Sequence, residues 1–166
     1  FEGKTYPFEL QRKLADFVLN KMSYHFDEGR LDVSSHPFTT ELGRHDVRIT
    51  TRYDLHDFRE SLYSVIHEAG HGLYELGVDS DYTNTPLAGG VSLGIHESQS
   101  RFWQNHIGLN PLFIEYLTPV LHALFPQELE AIDADAFSRY VNKVSKSLIR
   151  VDADEVTYTL HVILRF

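Results

Sequence analysis

Two histidines four residues apart, with a glutamate directly after the first, form the most chemically capable stretch of this chain: His67-Glu68-Ala69-Gly70-His71. On a helix, residues i and i+4 lie one above the other, so both imidazoles can reach a single divalent ion. Glu68 lies about 100° further round the helix. From there it can approach a water on that ion without becoming a ligand, which is where a general base belongs. A catalytic zinc site usually takes three protein ligands and keeps one position open. The third ligand is expected in Gly94-Ile95-His96-Glu97-Ser98-Gln99, where Glu97 leads and His96 is its rival.

The surrounding residues predict the helix this chemistry needs. Asp57-Phe58-Arg59-Glu60 reads as a capping box. Apolar residues at Phe58, Leu62, Val65, Ile66, Ala69, Leu73 and Leu76 keep helical spacing over about five turns. Gly77 stands where a left-handed terminating residue is wanted. The apolar stripe centres on Ile66, Ala69 and Leu73, and His67 and His71 project roughly opposite. Such a helix packs by one face and offers the ion on the other, so a second layer has to close the site. A pair of solvated surface histidines is the bland alternative.

The remaining pattern predicts mostly helix. Residues 6–22 are amphipathic, 27–45 read as loop, and Val47 to Tyr53 alternate like a short strand. Residues 79–94 read as loop, followed by a helix from roughly His96 to Ile107 that stops at Gly108. Asn110-Pro111 predicts a helix start, Thr118-Pro119 a kink or a fresh start, and 135–147 a further helix capped by Asp133 or Asp135. In the tail, Val156, Tyr158, Leu160, Val162 and Leu164 alternate like a strand. Val156, Leu160, Ile163 and Leu164 also fit a helix capped by Asp154, and periodicity leaves both open.

Composition narrows the classes. The 166 residues are 42% hydrophobic and 23% charged, which fits one globular domain rather than a disordered chain. A net charge of −9 without a basic stripe argues against nucleic acid. No apolar run is long enough to cross a bilayer. The absence of cysteine removes disulfides and thiolate ligands, and a reducing compartment fits. The chain starts at Phe1 and stops at Phe166 within an apolar run. The expectation is therefore a single piece, residues 1–166, truncated at both ends.

Five motifs follow one another in an informative order: His36-Pro37-Phe38; Asp46-Val47-Arg48-Ile49-Thr50; His67 to His71; His96-Glu97-Ser98-Gln99; and Ile149-Arg150 with Asp152-Ala153-Asp154 after it. As an ordered set, from about residue 36 to the end, the chain resembles the M32 metallocarboxypeptidases of the thermostable, Taq type. The resemblance implies a mainly α, zincin-like metallopeptidase segment with at most a short β element around 47–53. It implies a cytoplasmic, often homodimeric enzyme that uses zinc or cobalt. It implies His67, His71 and Glu97 as metal ligands and Glu68 as general base, raises Glu97 above His96, and favours helix for the tail. Family members are longer, with a helical N-terminal region and a last motif, G-x-x-Q-D-x-H-W, that this sequence lacks. Asp152 stands where the family usually has Glu.

The expected activity is removal of C-terminal residues from a peptide with a free C-terminus. Reading a terminal carboxylate suits arginine, which is permanently charged and can bind it with two hydrogen bonds. Arg150 is the first candidate and Arg48 the second. An ordinary ion pair, for Arg150 with Asp152 or Asp154, is the alternative. His36 reads either as a transition-state donor or as a loop-capping residue. Tyr158 is read as a packed tyrosine before a site donor, Phe102 and Trp103 as core, and Gly89-Gly90 as a flexible turn. Competing readings are a metallo-aminopeptidase or endopeptidase, and an inactive fragment or interaction module that keeps a metal site.

Overall fold

The computed structural model describes residues 3–148, 150 and 153–165. Ile149 and Asp152, quoted above among the motifs, lie outside the described residues. The elements run α1 (Phe8–Lys21), β1 (Gly29–Val33), β2 (Thr39–Gly43), β3 (Asp46–Thr51), α2 (Phe58–Leu76), a 3₁₀ turn (Ser80–Tyr82), α3 (Leu93–Arg101), a π-helical segment (Phe102–Gly108), α4 (Pro111–Leu124), α5 (Pro126–Leu129), α6 (Ala134–Val141) and α7 (Glu155–Ile163). The mainly α class holds. No described helix is long and apolar enough to cross a membrane.

The β content exceeds the expectation. Within the stretch predicted as loop, β1 and β2 flank β3 in a mixed sheet of order β1-β3-β2, with β1 parallel and β2 antiparallel to β3. Only β3 carries a clear apolar signal, because Val47 and Ile49 point into the core. β1 buries Leu31 alone and β2 buries no residue, so neither strand needs an alternating apolar pattern. Tyr24 joins the strands. Its hydroxyl accepts from the Arg30 amide at 3.1 Å and donates to the Val47 carbonyl.

α2 is the central element. Phe58, Leu62, Val65, Ile66 and Ala69 pack against Leu14, Ala15, Val18 and Leu19 of α1, Ile49 of β3, and Ile114, Leu117 and Leu121 of α4. An aromatic group anchors its N-terminal end, where Phe58 stacks on Phe125 at 5.5 Å and on Phe137 at 5.8 Å. Truncating a buried phenylalanine of this kind costs about 3–5 kcal/mol.

Several helix ends differ from the sequence reading. Asp57 caps α2 by accepting from the Arg59 amide, while Glu60 pairs with Arg52 instead of closing a capping box. Gly77 has φ −80° and ψ −5°, so it ends the helix without entering the left-handed region. α3 starts earlier than expected because Ser92 caps it by accepting from the Ile95 amide. The helix then widens into the π segment before stopping at Gly108. α4 runs unbroken through Pro119, with the Thr118 hydroxyl donating to the Ile114 carbonyl at 2.7 Å. Asp133 caps α6, which ends at Val141 rather than at 147. The tail is helical, and Asp154 accepts from the Val156 and Thr157 amides.

Candidate metal centre

The site forms where α3 crosses the C-terminal half of α2. Gly70 permits the crossing: a Cβ there would lie 2.8 Å from Ser100 Cα and 3.1 Å from the Gln99 carbonyl. Close approach brings Glu97, one turn before Ser100, over the two histidines. Its Oε2 lies 3.7 Å from His67 Nε2 and 3.5 Å from His71 Nε2. One ligand atom from each of the three residues falls within 4.8 Å of the others, the one such cluster among the described residues. Tetrahedral ligands about 2.0–2.2 Å from a zinc ion stand about 3.3–3.5 Å apart, a spacing that the two Glu97 distances approach. Two imidazole nitrogens and a carboxylate oxygen are a donor set suited to zinc, and the residues fit such an ion.

Each ligand candidate is held from behind. His67 Nδ1 meets Gln104 Oε1 at 2.8 Å, and His71 Nδ1 meets His96 Nδ1 at 2.7 Å. The Nε2 atom of each is thereby left to face the cluster. His96 in turn bonds Glu75 Oε1 through Nε2, so it braces His71 instead of occupying the third ligand position. Glu97 is gripped along its own helix by Arg101, whose Nε lies 3.3 Å from Oε1, and by the Tyr158 hydroxyl of α7, which donates to Oε1 at 3.0 Å. The Arg101 guanidinium sits 3.4 Å from the Tyr158 ring centroid, fixing both side chains.

Electrostatics keep the cluster in its ligating forms. Burial pushes the Glu97 carboxyl up, but hydrogen bonding to His71, the charge of His67, the Tyr158 hydroxyl and Arg101 outweigh it, holding the group down at about 2. Burial pushes His67 below the usual imidazole range, partly opposed by Glu68 and Glu97. An ionised carboxylate and a neutral imidazole are what a metal requires.

Glu68 stays out of the ligand cluster. It is buried, and the Thr39 hydroxyl lies 2.6 Å from its Oε2 and 3.0 Å from its own carbonyl. That tether brings β2 against α2 and restrains one carboxylate oxygen. A cleft of about 520 Å³ opens over the cluster, with Phe38, Thr39, Glu68, Glu97, Arg150 and Tyr158 in its walls. A separate cavity of about 290 Å³ beside Val18, Ile66, Trp103 and Phe113 has no His, Asp or Glu in its lining.

The other sequence candidates are distributed as follows. Arg150 lines the cleft, 5.9 Å from the Tyr158 ring centroid. Arg48 does not line it; its guanidinium is bound to both oxygens of Asp46, each at 2.7 Å. His36 uses its carbonyl to accept from Ser34, while its neighbours Pro37 and Phe38 reach the cleft wall. Tyr158 hydrogen-bonds a ligand candidate, a more specific role than a packed ring. Trp103 packs on the core, but Phe102 is 46% exposed. Gly90 is no free turn, since its backbone lies against the His96 ring.

Sequence reasoning missed Gln104, Glu75, Thr39 and Arg101. Glu75 had a signal, four residues after His71 on the same helix. Arg101 had one too, four residues after Glu97. Gln104 had a weaker one, seven residues after Glu97 and so on the same helical face.

Comparison with known proteins follows the same lines. A family profile described as Carboxypeptidase Taq (M32) metallopeptidase matches residues 1–166. The chain is 45% identical over 166 residues to Carboxypeptidase 1 of Bacillus subtilis, covering 100% of this chain and 33% of that one. It is 48% identical to Thermostable carboxypeptidase 1 of Pyrococcus furiosus, covering 99% and 33%. Among solved structures, an M32 carboxypeptidase from Deinococcus radiodurans superposes with a TM-score of 0.96 at 49% identity, covering 99% of this chain and 33% of that one. The chain thus spans about a third of the length of the relatives it matches.

Proposed function

Because the chain belongs to the Carboxypeptidase Taq (M32) metallopeptidase family, we propose that it carries the metal-binding and proton-transferring part of a carboxypeptidase that releases C-terminal residues from peptides. The observation that carries this reading is the convergence of His67, His71 and Glu97, with the Nδ1 atoms of both histidines already engaged elsewhere. Residues 1–166 are read as a single piece of the catalytic domain. The homodimeric state and cytoplasmic location of the whole protein rest on the family resemblance.

His67, His71 and Glu97 would hold the ion, zinc or cobalt. When bound, it supplies Lewis acidity to a scissile carbonyl and to water. Glu68 takes up a proton at the carboxylate oxygen that Thr39 leaves free and delivers it to the departing amine nitrogen. The buried position of Glu68 keeps bulk water from competing for that proton. Tyr158 and Arg101 keep Glu97 ionised and fixed in orientation. Arg150, in the cleft wall, binds the substrate's terminal carboxylate with two parallel hydrogen bonds.

The test is to compare a short peptide with its C-terminal amide, both incubated with zinc-loaded protein. Release of the last residue from the acid alone is expected. Equal cleavage of both, or cleavage from the amino end, contradicts the carboxypeptidase reading.

A further inference from the structure

The register of the small sheet brings one unpaired carboxylate into the cleft. Residues directly opposite one another in an antiparallel pair share a face of the sheet. Thr39 is opposite Ile49 and Glu41 opposite Val47, and both apolar partners are buried. Thr39 and Glu41 therefore point to the α2 side, while Thr40 and Arg48, the pair between them, point away. Glu41 is nevertheless exposed, because β2 is an edge strand and Glu41 lines the cleft. Its carboxylate has no hydrogen bond or ion pair among the described residues.

Strand and helix directions tell the two ends of the cleft apart. The Thr51 hydroxyl lies 3.3 Å from the Ser61 carbonyl, whereas a Cβ on Gly72 would lie 3.6 Å from Val47 Cγ1. β3 thus runs against α2, and β2, antiparallel to β3, runs with it. Thr39 is level with Glu68, to which its hydroxyl is bonded. Two residues of strand carry Glu41 about 7 Å further toward the C-terminal end of α2. α3 runs the opposite way, with His96 against His71 and Gln104 against His67. Arg101 and the Tyr158 ring that rests on it consequently lie toward His67, and Arg150 is 5.9 Å from that ring. The cleft has Arg150 toward one end, the ligand cluster between, and Glu41 toward the other.

We propose that Glu41 is a specificity-determining residue that selects a cationic side chain, lysine or arginine, on the residue before the one released. This rests on the carboxypeptidase reading and on its placement of the terminal carboxylate at Arg150. With that carboxylate toward the His67 end and the scissile carbonyl over the cluster, the upstream part of the peptide leaves along β2 past Glu41. A cationic side chain there gives the free carboxylate a partner, and an acidic one meets like charge.

The test compares three amino-blocked tripeptide acids, acetyl-Gly-X-Leu, in which X is lysine, norleucine or glutamate. Binding to the metal-free chain is measured by calorimetry, so that nothing is cleaved. The lysine peptide should bind about 2–5-fold more tightly than its norleucine counterpart, the size of an exposed ion pair. The glutamate peptide should bind more weakly than either, and the differences should shrink in about 0.5 M salt. Glu41→Gln should bring the lysine-to-norleucine ratio close to one, and Glu41→Lys should favour the glutamate peptide. Glu115→Gln removes an exposed charge from α4 outside the cleft and should keep the wild-type ratio. Equal binding of the lysine and norleucine peptides by wild-type protein, or a preference that survives Glu41→Gln, overturns the proposal. Leucine release from the same peptides by zinc-loaded protein is scored separately. A charge preference in binding without release supports the role of Glu41 and counts against the carboxypeptidase reading.

Discussion

Gly70 and Ser100 are in backbone contact, so close that a single methyl group at position 70 would lie 2.8 Å from Ser100 Cα. The distance between α2 and α3, and with it the distance from Glu97 to the two histidines, depends on that missing side chain. Gly70→Ala should push α3 outward. Backbone cannot yield as a flexible side chain does, so destabilisation of about 1–3 kcal/mol is expected. Zinc affinity should fall in the same variant. A Gly70→Ala protein with wild-type melting temperature and zinc affinity would show that the crossing is not limited by this contact.

Tyr158 offers a gentler probe of the same ligand. Tyr158→Phe removes the hydroxyl that donates to Glu97 Oε1 and keeps the ring on which Arg101 rests. Zinc affinity should drop roughly tenfold with little change in fold. Arg101→Ala, which removes both the Glu97 contact and the ring partner, should do more. An unchanged affinity in Tyr158→Phe would remove α7 from the site's support.

The pH response of metal-free protein follows from two depressed groups. Glu97 titrates at about 2 in the fold against an ordinary 4.5. Its contribution is present above the unfolded value and is lost as pH falls from about 4.5 toward 2. His67 is also depressed, here because burial disfavours its charge. Below its ordinary value of 6.5 the unfolded chain takes up a proton that the folded chain resists, so stability declines as pH falls through that region. Melting temperature should therefore drop in two stages, the first beginning below about pH 6.5. His67→Gln should remove the first stage, and a variant that keeps it contradicts the assignment to His67.

Glu68 and Arg150 should separate chemistry from recognition. Glu68→Gln should retain zinc and lose about 10²–10⁴-fold in kcat, since it removes proton transfer and no ligand. Arg150→Ala should raise KM for peptide acids and narrow their advantage over amides. Arg48→Ala should leave that preference intact, because Arg48 is engaged with Asp46 and does not line the cleft. Loss of acid preference in Arg48→Ala but not in Arg150→Ala would reverse the roles proposed here.

What the sequence displayed and what it hid follow from local against non-local causes. α2 was legible because its apolar spacing, cap and ligand pair all lie within one helix, and Phe58–Leu76 matches that reading. β1 and β2 were not, since they pair with β3 through backbone while burying little side chain. The histidine pair and Glu97 could be named from spacing and family motif. Their supports were less legible, because Gln104 meets His67 across two elements and Thr39 depends on a tertiary contact between β2 and α2. The exclusion of Arg48 from the cleft also needed coordinates. Asp46 lies only two residues away in the same strand, and side chains at i and i+2 share a face.

A zinc-soaked crystal structure with anomalous data at the zinc edge reads the metal centre itself. One ion is expected, bound by His67 Nε2, His71 Nε2 and a Glu97 carboxylate oxygen, each about 2.0–2.2 Å away, with Glu68 unligated nearby. An ion bound by His96, or a Glu97 carboxylate beyond bonding distance from an ion on the two histidines, would contradict it.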